Sequence, residues 1–228
     1  AIKRNICDDE QDLRALRELA FLREVKSHPS FVQIKGLIAS DAIPEKVWKD
    51  KTNETFHFIM DLGDCDLSDY MENIQDTEEI KNFLVQTLLG LEYLHSKKIG
   101  HFDLKPGNII VKEKEDGIHY QICDLGISER WSNRYLSTKG LITSIYRAPE
   151  VAAKLSNYDG KADIWSLGCI LYEIINSGKS FITLGKITNS SAIFKAIIQS
   201  SQTSKEDLEY FEKTDVKITK HKKFIWER

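Results

Sequence analysis

The chain has 228 residues, 41% of them hydrophobic and 29% charged, which is enough for one compact domain or two lobes with a shared core. Its 32 Lys and Arg residues against 35 Asp and Glu give a net charge of -3, which offers no global electrostatic reason to bind nucleic acid or a membrane. No apolar run reaches the roughly 18 residues of a membrane span, and 4 cysteines without a CxxC pair favour a cytoplasmic or nuclear location.

The first part of the chain is predicted to hold one helix and two strands. Apolar residues at helical spacing, with Asp8 and Asp9 in the first turn, predict a helix over 8–26 that Pro29 closes. Short apolar stretches over 31–38 and 56–62 predict strands on either side of a polar loop.

The rest of the chain is predicted to be mainly helical. Leucine and other apolar residues that recur every three or four positions predict a helix over 78–96. Residues 108–124 predict a β-hairpin whose turn is signalled by Asp-Gly at 116–117. Residues 163–175 are apolar nearly all round, which predicts a centrally buried helix. The fold class is therefore α+β, with a small β-containing part followed by a larger helical part.

Polar residues that could carry chemistry concentrate in residues 101–108, which read HFDLKPGN, and in Asp124 at the far end of the hairpin. The amide of Asn108 and the carboxylate of Asp124 can converge on one divalent cation, since Mg²⁺ takes oxygen ligands. Asp103 is then left to orient a hydroxyl, and Lys105 offers a positive charge to a phosphoryl group. Each piece alone has a plainer interpretation, because an isolated Asp-Leu-Gly is usually a turn.

Taken together and in order, the motifs resemble those of the eukaryotic protein kinase family over nearly the whole chain. The matching segments are residues 1–3 (AIK), Glu18, 101–108 (HFDLKPGN), 124–126 (DLG), 148–150 (APE) and 163–168 (DIWSLG). The resemblance implies a bilobal kinase fold, with a partial N-lobe over 1–62 and a C-lobe over 63–228. The run into the APE motif looks most like the cyclin-dependent and mitogen-activated kinase group.

The resemblance also implies the cofactors ATP and Mg²⁺ and a role for each matching side chain. Lys3 would contact the α- and β-phosphates and be held by Glu18, while Asn108 and Asp124 would ligate Mg²⁺.

The same resemblance implies the reaction, which is phosphoryl transfer to a protein hydroxyl. Asp103 would orient that hydroxyl and Lys105 would act beside it. Lys105 after Asp-Leu, and Thr143 before the APE motif, point to serine or threonine as the acceptor. A protein substrate follows, and a regulatory protein partner stays open.

The nucleotide pocket is implied by residues 58–63, FIMDLG, which resemble the strand and hinge that hold adenine. The implied contacts are Met60 as gatekeeper, the backbone of Asp61 and Gly63, Asp66 at the ribose, and Ala1 and Ile110 on the two faces of the ring. Cys123 is either a thiol near the nucleotide or a buried core cysteine.

Two features depart from the family pattern. Phe102 stands where many phosphorylation-activated kinases carry an arginine, so we expect little dependence on phosphorylation of Thr138. Glu150 lacks the context of its usual arginine partner, and substitutes could come from Lys217, Lys220 or Arg228.

The boundaries raise an alternative function. The glycine-rich loop that covers the ATP phosphates would precede residue 1, and the end after residue 199 does not match the family, so we expect a chain truncated at both ends. A truncated, non-catalytic interaction module or inhibitor of another kinase is therefore the alternative to an active kinase.

Overall fold

The computed structural model describes residues 1–3, 9–39, 56–131, 145–152 and 158–180. Within these ranges the strands, in chain order, are β1 (Ile2–Lys3), β2 (Ile34–Ala39), β3 (Phe56–Met60), β4 (Cys65–Asp66), β5 (Ile99–Gly100), β6 (Ile109–Lys114), β7 (Gly117–Ile122) and β8 (Glu129–Arg130). The α-helices are α1 (Asp9–Glu24), α2 (Leu67–Tyr70), α3 (Thr77–Ser96), α4 (Pro149–Ala152) and α5 (Lys161–Ile175). None of these helices combines the length and apolar character needed to cross a bilayer.

Helix α1 lies within the predicted range 8–26, and it ends two residues earlier than the sequence pattern predicts. Ala15, Glu18 and Leu22 recur every three or four residues and are all buried, so one stripe of the helix faces the core. The helix ends at Glu24, three residues before Ser27 takes a positive φ of 74° that turns the chain away.

A small antiparallel sheet in the order β1-β3-β2 lies beside α1. The strand predicted from residue 31 begins only at Ile34, because the backbone just before it forms hydrogen bonds with the end of β7 instead. Phe31 forms a parallel bridge to Ile122, and the nitrogen of Ile122 donates to the carbonyl of Ser30 at 2.7 Å. The segment between α1 and β2 is thus fastened to the end of β7.

Helix α3 packs against that same segment. Asp76 caps the helix by accepting a hydrogen bond from the nitrogen of Glu79 at 2.8 Å. At Gly90 a side chain would be too close to its neighbours, since a Cβ would lie 2.9 Å from Ser30 Cβ and 3.0 Å from Ile122 Cδ1. Glycine therefore allows the close approach of α3.

The β6–β7 hairpin is present, and its turn lies within the predicted residues 115–117. Lys114 pairs with Gly117, so the two residues outside the ladder are Glu115 and Asp116. Neither of them has a positive φ, whereas Gly117 has a φ of 124°. The glycine thus supplies the left-handed backbone after the turn instead of within it.

Helix α5 is buried on one side only, so the prediction of a helix buried all round is wrong. Asp163, Leu167 and Ile170 are buried, but Ile164 is 46% and Ile175 61% exposed. The exposed positions recur every three or four residues and therefore form one stripe, opposite the side that packs on the core.

Candidate active site

A pocket of about 320 Å³ opens between the small sheet and strand β6. Eight residues predicted for the site line it: Ala1, Lys3, Met60, Asp61, Gly63, Asn108, Ile110 and Asp124. The other lining residues are Val32, Leu62, Cys65, Gly107 and Cys123. The predicted residues that do not line it are Glu18, Asp66, Asp103 and Lys105. The sequence motifs thus converge on one cavity although they are up to 123 positions apart along the chain, from residue 1 to residue 124.

Lys3 joins three parts of the site. Its place on β1 is fixed by pairing with Phe58, which is fully buried. Its Nζ lies 2.6 Å from Oε1 of Glu18 on α1 and 2.9 Å from Oδ1 of Asp124. The amine therefore holds the helix and the Asp-Leu-Gly segment at once.

The electrostatics of this trio favour charged side chains on Lys3 and Asp124. Burial alone would lower the pKa of Lys3, but the carboxylates of Glu18 and Asp124 outweigh it and raise the pKa above 10.5. Burial would raise the pKa of Asp124, yet the nearby Lys3 outweighs it and lowers the pKa below 3.8. Glu18 is only 3% exposed, and burial raises its pKa despite Lys3.

The hinge side of the pocket is built from backbone. Met60 exchanges hydrogen bonds with Ala1, since the amino group of Ala1 donates to the carbonyl of Met60 at 2.7 Å and the nitrogen of Met60 donates back at 2.9 Å. The nitrogen of Asp61 donates to the carbonyl of Gln33 at 3.0 Å, so this N–H group is already bonded within the protein. A methyl group on Gly63 would overlap Ile110, so glycine lets the hinge lie against that side chain.

Asp103, Lys105 and Asn108 form a second polar group beside the pocket. Lys105 Nζ lies 2.9 Å from Oδ2 of Asp103, and the amide nitrogen of Asn108 donates to the carbonyl of Asp103 at 2.8 Å. The same amide nitrogen lies 3.1 Å from Oδ2 of Asp103. Asp103 is therefore held in one orientation by two neighbours.

His101 connects this loop to the segment after β7 that carries Asp124. The nitrogen of Asp103 donates to Nδ1 of His101 at 3.2 Å, which places the ring proton on Nε2. Nε2 then donates to the carbonyl of Cys123 at 2.9 Å. Phe102 and Asp124 each adopt a φ of 61°, a left-handed conformation that costs free energy in a non-glycine residue and is found at functional sites.

The residues present fit a Mg²⁺ ion bound together with nucleotide phosphates. Because the amide nitrogen of Asn108 is engaged with Asp103, its oxygen is the atom left to bind a cation. Asp124 bonds Lys3 through Oδ1, so Oδ2 can serve the ion. The described residues contain no group of three or more His, Cys, Asp or Glu side chains that could hold a metal ion. Mg²⁺ is usually bound through one or two carboxylates together with substrate phosphates and water.

Asp66, the residue predicted at the ribose, caps a short helix. Asp66 is the N-cap of α2, where its Oδ1 accepts the nitrogens of Ser68 at 2.8 Å and Asp69 at 3.3 Å. Its contact with a ribose stays a prediction.

Phe102 packs edge-on against Tyr158 with ring centroids 4.9 Å apart, in an apolar cluster with Ala148, Val151 and Ala162.

Several predictions fall outside the described residues. These are Thr138, Thr143 and the three cations considered for Glu150, namely Lys217, Lys220 and Arg228. Of the lining residues that the sequence did not indicate, Val32 and Gly107 had a usable signal. Val32 lies in an apolar stretch already predicted to pack beside the site, and Gly107 lies inside the HFDLKPGN motif.

Curated proteins similar in sequence to this chain include mitogen-activated protein kinases. Mitogen-activated protein kinase 13 of Arabidopsis thaliana is 35% identical over 180 residues, which is 77% of this chain and 47% of that protein. Mitogen-activated protein kinase 2 of the same plant is 32% identical over 224 residues, 95% of this chain and 56% of that protein. The chain thus spans about half the length of the curated relatives it matches.

A solved structure and a family model agree with these relatives. A chain in the crystal structure of the yeast RNA Pol II CTD kinase CTDK-1 complex superposes with a TM-score of 0.65 at 28% identity, covering 81% of this chain and 56% of that one. The likeness confirms the predicted kinase fold, and the relatives confirm the resemblance to the cyclin-dependent and mitogen-activated group. The model of the family described as protein kinase domain matches residues 1–225. The chain belongs to the protein kinase family.

Proposed function

We propose that the chain transfers the γ-phosphate of ATP to a serine or threonine hydroxyl of a protein substrate. The observation that carries this proposal is the position of Lys3, whose Nζ bonds Glu18 at 2.6 Å and Asp124 at 2.9 Å at the same time. Kinases need both the lysine–glutamate pair and the metal-binding aspartate in place for transfer. A non-catalytic module would need neither, and no feature of the described residues favours that alternative.

The side chains divide the work of the reaction. Lys3 binds the α- and β-phosphates, and Glu18 keeps its amine in the pocket. Asn108 and Asp124 would hold Mg²⁺, which supplies charge neutralisation on the phosphates. Asp103 orients the acceptor hydroxyl and accepts its proton. Lys105, 2.9 Å from Asp103, balances the charge that develops on the phosphoryl oxygens.

Substrate class, partner and location extend this proposal. Lys105 after Asp-Leu, together with relatives in the mitogen-activated group, supports serine or threonine as the acceptor. The similar CTDK-1 structure is that of a complex, which supports a regulatory protein partner. The described cysteines Cys65, Cys123 and Cys169 are all free thiols, which supports a reducing cytoplasmic or nuclear location.

Phosphate transfer from labelled ATP to myelin basic protein tests the proposal directly. Lys3→Met, Asp103→Asn and Asp124→Asn should each reduce turnover at least about a hundredfold, because each removes one part of the transfer machinery. The matched control is Lys81→Met, which removes an exposed ion pair with Glu78 far from the pocket and should leave turnover unchanged.

A nucleotide-binding measurement completes the experiment. Mg²⁺-ATP should raise the melting temperature of the unmutated protein and of Asp103→Asn, but not that of Lys3→Met. An unmutated protein that neither transfers phosphate nor is stabilised by Mg²⁺-ATP would overturn the proposal.

A further inference from the structure

Helix α1 has a second ionic anchor, six residues beyond the one at the pocket. Nη2 of Arg130 lies 2.5 Å from Oε1 and 2.7 Å from Oε2 of Glu24, the last residue of the helix. Nη1 of the same guanidinium donates to the carbonyl of Lys97 at 2.5 Å. One arginine therefore joins the end of α1 to the end of α3, because Lys97 is the residue that caps α3.

Arg130 is itself fixed to the segment that leads into Asp103. It lies on β8, where it pairs with Ile99 of β5, and the next residue donates its nitrogen to the carbonyl of Lys98 at 3.2 Å. Strand β5 ends at Gly100, three residues before Asp103. Arg130 therefore links the end of α1 to β5, the strand that leads into the loop containing Asp103.

The two anchors constrain different movements of the helix. Glu18 and Glu24 are six residues apart, which corresponds to about 9 Å along the axis and about 120° around it. An anchor at one point would still allow the helix to rotate or pivot about it. Two anchors on different sides of the axis fix both its rotation and its distance from Lys3.

We propose that Arg130 is a positioning residue, which holds α1 through Glu24 so that Glu18 meets Lys3. This inference rests on the kinase activity proposed above. In kinases the position of this helix controls whether the lysine–glutamate pair forms, and phosphorylation of the activation segment is one means of setting it. Here Arg130 sets it with an ion pair between side chains of the chain itself. Both members are only about one-third exposed, with side-chain exposures of 37% and 34%, so the pair is partly shielded from solvent.

The proposal predicts how the KM for ATP and kcat change when Arg130 is replaced. If loss of Arg130 lets α1 move, only the fraction of molecules with Glu18 on Lys3 binds ATP well, and the apparent affinity falls by that fraction. The KM for ATP of Arg130→Met should therefore rise about tenfold, whereas kcat at saturating ATP should change less than about threefold.

Hydrogen–deuterium exchange without nucleotide provides a readout that does not depend on activity. In Arg130→Met the amides of residues 14–24 should exchange at least about tenfold faster, while those of α5 stay within about twofold of the unmutated protein. Lys81→Met, which breaks the exposed pair with Glu78, is the matched control and should change neither region. A general loss of stability would instead speed exchange in α5 as well, and that outcome would overturn the proposal.

A double-mutant cycle distinguishes action through Glu24 from an independent effect. Glu24→Gln keeps the size of the side chain and should reproduce most of the exchange and KM changes of Arg130→Met. The double variant should be no worse than Arg130→Met alone, and Arg130→Lys should recover part of the loss because it keeps the charge without the planar fork. Additive effects of the two single variants, or unchanged exchange in α1, would contradict the proposal. Because exchange is measured without ATP, this failure is separate from a failure of phosphate transfer.

Discussion

The carboxylate oxygen Oδ2 of Asp163 lies 2.8 Å from the backbone nitrogen of His101. Its other oxygen, Oδ1, lies 2.8 Å from the nitrogen of Phe102, and Asp163 is fully buried. Two consecutive backbone N–H groups thus converge on one side chain of α5. Because Asp103 follows directly, the central helix fixes the residue that orients the acceptor hydroxyl.

Replacing this carboxylate should therefore cost stability. In Asp163→Asn the amide group would face an N–H donor, so one buried hydrogen bond to a charged group would be lost and a donor would be left unpaired. We expect the free energy of unfolding to fall by about 3 kcal/mol, measured by urea denaturation. Asp159→Asn is the control, since the Asp159 carboxylate accepts the nitrogen of Lys161 at 2.8 Å and pairs with the Lys161 amine at 3.7 Å on a more exposed surface, and its loss should cost about 1 kcal/mol or less. Equal losses in the two variants would contradict this reading of Asp163.

The raised pKa of Lys3 predicts a loss of stability in alkaline solution. Below pH 10.5, the ordinary pKa of the amine, Lys3 is charged in both the folded and the unfolded chain, and the contribution of its ion pairs is complete. That contribution is lost as the pH rises through the higher pKa of the folded state. The melting temperature of the unmutated protein should exceed that of Lys3→Met by a constant amount from about pH 8 to about pH 10, and the difference should shrink above that range. A difference that does not change with pH would refute the prediction, because other lysines and tyrosines titrate equally in both proteins.

Cys123 should be a poor nucleophile although it lines the pocket. Burial raises the pKa of its thiol from 9.0 to about 12, so at neutral pH its thiolate is about a thousandfold scarcer than that of an ordinary cysteine. Alkylation by iodoacetamide, followed by peptide mass spectrometry, should modify Cys123 much more slowly than Cys65. Cys65 lines the same pocket and is the comparison thiol, since burial raises the pKa of its thiol as well, but less than that of Cys123. Equal rates for the two thiols would show that the thiolate of Cys123 is not suppressed.

Activity should depend little on phosphorylation of Thr138. An arginine beside the catalytic aspartate would bind such a phosphate, but Phe102 occupies that position and is only 7% exposed in an apolar cluster. We expect Thr138→Ala to retain turnover within about tenfold of the unmutated protein in the phosphate-transfer assay. A loss of a hundredfold or more would rule this prediction out.

The local sequence pattern was sufficient to predict the long helices but not the short strands. Helices α1, α3 and α5 carry enough apolar repeats to set their bounds within about two residues of the prediction. Strands β4, β5 and β8 have two residues each, too few for an alternation to be recognised. The late start of β2 depends on Phe31 bridging to Ile122, a contact across 91 positions that no local window contains.

The site residues likewise divide into those that a sequence motif identifies and those that no motif identifies. Lys3, Glu18 and Asp124 could be assigned because each stands within a motif whose order along the chain is specific. Arg130 has no motif, and its importance comes only from the distance to Glu24, 106 positions away. The cap formed by Asp66 was equally hidden, since an aspartate before a short helix and an aspartate at a ribose have the same local sequence.

The bridge between Phe31 and Ile122 bears on how the chain could be divided. A cut after residue 62 follows the boundary between the lobes that the sequence suggests. Such a cut would leave Ile122 without its backbone partner and would uncover the surface of α3 around Gly90, where Ser30 packs. A fragment of residues 63–131 and beyond would therefore expose apolar surface and be prone to aggregation, whereas one that keeps residues 28–33 attached would retain its cover.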